Sequence, residues 1–203
     1  MGEAKRRRLA GEMNVTVDRA VLDNAARTVA RYMRAAGRPE ERGADCTLHA
    51  ALLQALLGRL GVQARAVAGY AAWRTGVGAG DVVGHHPDAG AAPMGPQTFL
   101  GHAWVEAGRY VVDATTWQWA MKLAQLDALD GRCSRVEWPM DVLIADRREL
   151  SPYRQVKNGY AFAAHYEERP EFRHVLIEAD PADVDQVLFL HRNPDVEVAG
   201  EGA

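Results

Sequence analysis

Asp45-Cys46-Thr47-Leu48-His49-Ala50-Ala51-Leu52-Leu53-Gln54-Ala55-Leu56-Leu57-Gly58-Arg59-Leu60-Gly61 sets apolar residues at Leu48, Ala51, Leu52, Ala55, Leu56 and Leu60. Recurrence at three and four is helical spacing. Gly61 ends the run, and Asp45 stands where an N-cap is expected. Cys46 is therefore expected in the first turn of a helix. Unpaired backbone N–H groups and the positive end of the helix dipole favour an anionic sulfur there. The same N–H groups can donate to an oxyanion formed on an attacked carbonyl.

Two further segments supply an imidazole and a carboxylate. Ala103-Trp104-Val105 and Tyr110-Val111-Val112 are rich in β-branched and aromatic residues, with Gly108-Arg109 between them. That pattern predicts an antiparallel hairpin. Residues equally far from its turn face each other, so His102 and Asp113 fall opposite within a residue or two of register. A carboxylate beside His102 holds one tautomer and favours the imidazolium. Thiol, imidazole and carboxylate are the parts of a cysteine nucleophile, its base and the orienter of that base. Spacing alone does not bring Cys46 to His102.

The run from Cys46 through Gly61-Val62-Gln63-Ala64-Arg65 to Gly69-Tyr70 resembles the core motif of the transglutaminase-like superfamily. So do Gly101-His102-Ala103-Trp104-Val105-Glu106 and Val111-Val112-Asp113-Ala114-Thr115. The likeness spans roughly residues 44–117. It implies an α+β, papain-like core with a Cys-bearing helix packed on an antiparallel sheet, and a Cys46/His102/Asp113 triad. It also implies a structural role for Arg65. Thiol-dependent hydrolysis or acyl transfer at an amide or ester is the activity expected, on a peptide, protein or small amide substrate, with no cofactor and no metal. Such families often draw an oxyanion donor from a Gln or Trp upstream of the cysteine, and residues 1–45 hold neither. The second donor is therefore unassigned, and an inactive domain that binds a peptide or protein in the same cleft is the alternative. Cys46, His49, Tyr70 and Trp104 are the candidates for oxyanion site and cleft.

Composition bounds the rest. A chain of 203 residues suits one sizeable core. The expected division is a basic tail over 1–15, one domain over 16–198 and a loose tail over 199–203. Lys5-Arg6-Arg7-Arg8 reads as a solvated terminus. A net charge of −3 gives no global argument for nucleic acid or a membrane surface. Two cysteines, Cys46 and Cys133, make no disulfide framework and suggest a reducing, cytoplasmic setting. Neither a secretory leader nor a membrane span is expected. Oligomeric state is not readable.

Elsewhere the periodicity predicts a helix over 16–36, a strand over 62–73 and a helix over 117–129. Residues 136–145 read as a strand, 160–166 as a short helix, and 174–179 and 186–191 as short strands around a helical turn at Asp180-Pro181-Ala182-Asp183. The Gly/Pro-rich run 74–100 reads as a long irregular loop, either a lid or a surface insertion. A rival reading makes Cys46, His49, His85 and His86 ligands for zinc.

Overall fold

A computed structural model of the chain describes residues 17–36, 45–78, 81–87, 101–131, 138, 140–159 and 161–197. The basic tail, Cys133, most of the Gly/Pro-rich run and the C-terminal tail lie outside these. Helix α1 (Arg19–Ala36) buries Leu22, Ala25, Ala26, Val29 and Met33 on one face, as the sequence spacing requires. Helix α2 (Cys46–Arg59) is apolar almost all round. Its Leu52, Leu53, Leu56 and Leu57 are wholly enclosed. Each such side chain contributes roughly 1.5–3 kcal/mol by leaving water. Gly61, at φ 74°, turns the chain out of this helix.

Strand β1 (Arg65–Arg74) is the hub of a six-stranded sheet that also holds β2 (Val82–His85), β3 (His102–Ala107), β4 (Tyr110–Asp113), β5 (Leu143–Asp146) and β6 (Ala163–Glu168). All pairings are antiparallel. Gly69 pairs with His102 on one edge and Glu168 on the other, while Ala71 pairs with His85 and Tyr166. Strands β2 and β3 therefore lie end to end along one edge of β1, with β6 along the other. This brings His85 to the start of β3. The β3–β4 hairpin turns at Gly108-Arg109, with Ala107 opposite Tyr110. Gly108 has φ 56°, as a two-residue turn opening on glycine requires.

Each sheet face has its own core. One carries Ala103, Val105, Ala107, Val112 and Ile144 against α1, α2 and α5 (Pro181–Arg192). The other joins Trp73 of β1, Trp119, Leu143 of β5 and Ala164 of β6, with Tyr166 at the margin. Because β1 and β5 are separated by β3 and β4 in the sheet, a cluster that their side chains share means that the sheet curls. The architecture is α+β, with helices on the outer face of a curled antiparallel sheet.

Several sequence expectations need correction. The 74–100 run is not all loop, since Val82–His85 forms β2 on β1. Its short Val-Val-Gly-His pattern is hidden among glycines. Of the helix expected over 160–166, the described residues 161–166 are not helical: Ala163–Glu168 is β6, where tertiary pairing with β1 overrides a weak local preference. The nearby helix is α4 (Tyr153–Asn158). The strand expected at 174–179 is instead the end of a 3₁₀ turn at Pro170–Val175 followed by unpaired chain. The strand expected at 186–191 lies within α5. There the Asp180 side chain accepts from the Ala182 N–H at 2.8 Å, and Pro181 opens the helix. A short apolar run does not tell strand from helix, and the cap decides. The strand expected over 136–145 forms at Leu143–Asp146. Residues 117–129 become a 3₁₀ turn at Thr116–Gln118 and then α3 (Trp119–Asp130).

Candidate active site

The hairpin sets Asp113 two residues from the position opposite His102. The diagonal is closed by a hydrogen bond from His102 Nε2 to Asp113 Oδ2 at 2.8 Å. Both side chains are almost wholly buried. Asp113 is heavily tied. Oδ1 accepts from the Thr115 N–H at 2.9 Å and its hydroxyl at 2.7 Å. Oδ2 also accepts from the Tyr166 hydroxyl at 2.7 Å. Tyr166 in turn accepts from Trp73 Nε1 at 2.8 Å, so a chain of hydrogen bonds crosses the curled sheet from β1 through β6 to β4.

Burial alone would raise the Asp113 pKa, but the charge of His102 and the donors from His102, Thr115 and Tyr166 hold it at about 2. For His102, burial opposes protonation. The charge and hydrogen bond of Asp113 outweigh it and, with Cys46, push the pKa up to about 10. The resting pair is therefore imidazolium and carboxylate at neutral pH. Burial also drives His49 and His85 toward the neutral form, with the charge of His102 adding to the effect, and His85 falls to about 3. One cationic imidazole thus has two neutral ones as electrostatic neighbours.

Cys46, at the head of α2, lies near enough to this ring to favour its charged form. With Nε2 taken by Asp113, Nδ1 is the nitrogen left for the thiol. Nδ1 is buried without a close hydrogen-bond partner, so the approach to sulfur is loose. Catalytic contacts are often long before substrate binds. Cys46 is partly exposed while His102 is sealed, so a reactant meets sulfur first. Trp73 stands edge-on to His102 at 4.9 Å, and Trp104 and His85 stack on it at 6.3 and 5.4 Å.

The other sequence candidates fall into two groups. His49 is buried on α2, its Nδ1–H donating to the Asp45 carbonyl at 3.1 Å and its Nε2 without a partner. Trp104 walls the His102 ring. Tyr70 does not join them: its ring meets His86, Phe172 and the Arg169 guanidinium. Glu106 sits in the strand register expected and pairs with Arg65 and Arg147. Arg65 also pairs with Glu168, linking β1, β3 and β6 as its expected structural role requires. Among the described residues, Cys46, His49, His85 and His86 do not converge as metal ligands, because His86 gathers with His165 and Glu167 of β6 instead.

Sequence reasoning missed Tyr166 and Gln118, and weighed His85 only as a ligand in the rival zinc reading. Gln118 is buried and donates through Nε2 to both Asp45 carboxylate oxygens, at 3.1 and 3.3 Å. It positions the residue that precedes Cys46. No local motif marks any of the three, since each reaches the site through long-range pairing or packing.

Tyr166 is a positioning residue for Asp113. Burial and the Asp113 charge keep its pKa well above the ordinary range, so it stays a donor. Tyr166→Phe leaves Asp113 one donor short and Trp73 Nε1 without its acceptor. The expected loss is about 2 kcal/mol of folding stability, read from urea unfolding. A loss indistinguishable from zero would break the relay.

No family model matches the chain, and no curated protein matches it. A solved structure described as "The crystal structure of genomics APC5867" is similar, with a TM-score of 0.55 and 12% sequence identity over 87% of this chain and 79% of that one. At that identity the likeness is one of fold.

Proposed function

We propose that this chain is a thiol-dependent hydrolase or acyltransferase acting on an amide or ester bond, with a papain-like, transglutaminase-like core. The observation that carries the reading is the buried His102–Asp113 pair, with Nε2 committed to the carboxylate and Cys46 beside the ring at a helix start. The Cys46 sulfur attacks the carbonyl carbon as a thiolate. The tetrahedral oxyanion collapses, the bond to the leaving nitrogen or oxygen breaks, and Nδ1–H of the His102 imidazolium protonates the departing group. A thioester on Cys46 and a neutral His102 remain. Water or an amine then attacks the thioester, Nδ1 takes its proton, and the thiolate is released with the product. Asp113 keeps Nε2 protonated throughout and balances the imidazolium charge.

The backbone N–H of Cys46 is one oxyanion donor in this scheme. The donor that residues 1–45 do not provide has downstream counterparts. Trp117 buries an indole N–H without an acceptor beside His49, and the Gln118 amide abuts Asp45. A peptide, protein or small amide is the substrate class. Turnover requires the acid form of His102, so it should fall as pH rises through about 10.

The test is site-resolved iodoacetamide labelling against pH, for the unaltered protein and His102→Ala. Fast labelling of Cys46 near neutral pH, slowed in the variant while Cys133 is unchanged, is the expected result. Slow, equal labelling of Cys46 in both proteins would remove the enzymatic reading in favour of a binding domain.

A further inference from the structure

On the sheet face opposite the His102 cluster, three potential ligands meet. His165 and Glu167 alternate on β6 and share a face. His86 follows β2, and continuing the β1–β2 register sets it opposite Tyr70, the residue that pairs with Glu167. One ligand atom from each of His86, His165 and Glu167 lies within 4.8 Å of the others. We propose that His86, His165 and Glu167 bind one divalent transition-metal ion of the zinc class, which clasps β2 to β6 across β1.

The surroundings suit such a site. The His165 Nδ1 lies 3.0 Å from the Ser151 carbonyl. A carbonyl only accepts, so Nδ1 carries the proton and Nε2 presents a lone pair. That Nε2 is buried, has no hydrogen-bond partner, and lies 3.7 Å from Glu167 Oε2. A ring whose far N–H is held by a carbonyl is the outer-shell arrangement that orients metal-ligating histidines. Glu167 Oε1 is held by Arg169 at 3.2 Å, which turns Oε2 toward His165. The His86 ring is stacked on Tyr153 of α4 at 3.7 Å and 11°.

Zinc takes His nitrogen and carboxylate oxygen at about 2.0–2.2 Å, which sets ligand atoms around a tetrahedral ion about 3.3–3.5 Å apart. The His165–Glu167 separation of 3.7 Å is close to this, and no separation exceeds 4.8 Å, so closure on an ion takes at most roughly 1.5 Å of side-chain movement. Two imidazoles and one carboxylate favour zinc over magnesium or calcium, which prefer all-oxygen sets. Three protein ligands leave a fourth position for water. The ion's role is to fix β2, whose His85 stacks on His102 from the other face. The inference is independent of the proposed chemistry at Cys46.

The test uses the full-length, tag-free, metal-stripped chain, titrated with zinc by calorimetry and with cobalt by absorption spectroscopy. One ion per chain is expected, with cobalt bands of nitrogen and oxygen ligation and no sulfur charge-transfer band. His165→Ala and Glu167→Gln should each weaken zinc by more than the roughly 100-fold that losing an outer-shell partner costs. Glu167→Gln keeps size and shape, and circular dichroism checks its fold. It decides the matter if His165→Ala does not fold. A sulfur band, which would move the metal to Cys46 or Cys133, overturns the proposal. So does binding that both folded variants retain, or none at millimolar zinc.

Discussion

Asp113→Asn should lower turnover of an activated ester about 10⁴-fold, the scale seen when the carboxylate of a catalytic triad becomes an amide. The size follows from what the carboxylate does. Its two oxygens accept from His102, Tyr166 and both donors of Thr115, all away from water. An amide in that place has one accepting oxygen and an NH₂ that can only donate. If the oxygen stays with Thr115, the NH₂ meets His102 Nε2 and forces the ring proton to Nδ1, where a base facing Cys46 needs a lone pair. The imidazolium also loses the charge that lifts its pKa against burial. Turnover should therefore fall, and Cys46 alkylation near neutral pH should slow with it. Circular dichroism and urea unfolding of the same sample show whether it remains folded. Turnover within tenfold of the unaltered protein, in a folded variant, would mean that Asp113 does not orient the base.

Gly69→Ala should cost about 3 kcal/mol or more of stability, the upper part of the range for forcing atoms into a packed site. A Cβ on Gly69 would lie 2.0 Å from the Glu167 carbonyl oxygen and 2.9 Å from the Arg169 nitrogen. Both are backbone atoms, so no side chain can swing aside. The strands β1 and β6 must part locally, and the Arg169 N–H to Ala68 carbonyl bond at 3.0 Å is strained or lost. The damage should reach the site, because β6 carries Tyr166 to Asp113 and Gly69 pairs with His102 on its other edge. Urea unfolding measures the loss, and Cys46 labelling measures its reach. A cost under about 1 kcal/mol would contradict this close approach of β6 to β1.

Legibility in the sequence followed the range of the interactions. The Cys46 helix was readable because fourteen consecutive residues repeat one spacing and a glycine ends it. The β3–β4 hairpin was readable because its turn fixes its register. That spacing alone sets His102 and Asp113 within two positions of facing each other. Cys46 and His102 are joined only through packing of α2 on the sheet, which no local spacing encodes. The strand β2 was obscured because four residues among glycines carry little pattern. The strand β6 was misread because Ala163–Glu168 gains its conformation from β1. Tyr166 was invisible as a site residue, and His85 as a neighbour of His102, for the same reason: each arrives on a strand that only tertiary pairing with β1 reveals. The start of helix α5 is encoded in Asp180-Pro181, a cap and first-turn proline that outweigh the short apolar run after them.

The most direct measurement is the mass of the protein quenched during reaction with p-nitrophenyl acetate, followed by peptide mapping. An acetyl group on Cys46 is expected, accumulating in the unaltered protein and discharged by water. It should be absent after Cys46→Ala and formed far more slowly after His102→Ala. An unaltered protein that carries no acetyl on Cys46, or acetylates it at the same rate without His102, would contradict a Cys46–His102–Asp113 acyl-transfer site.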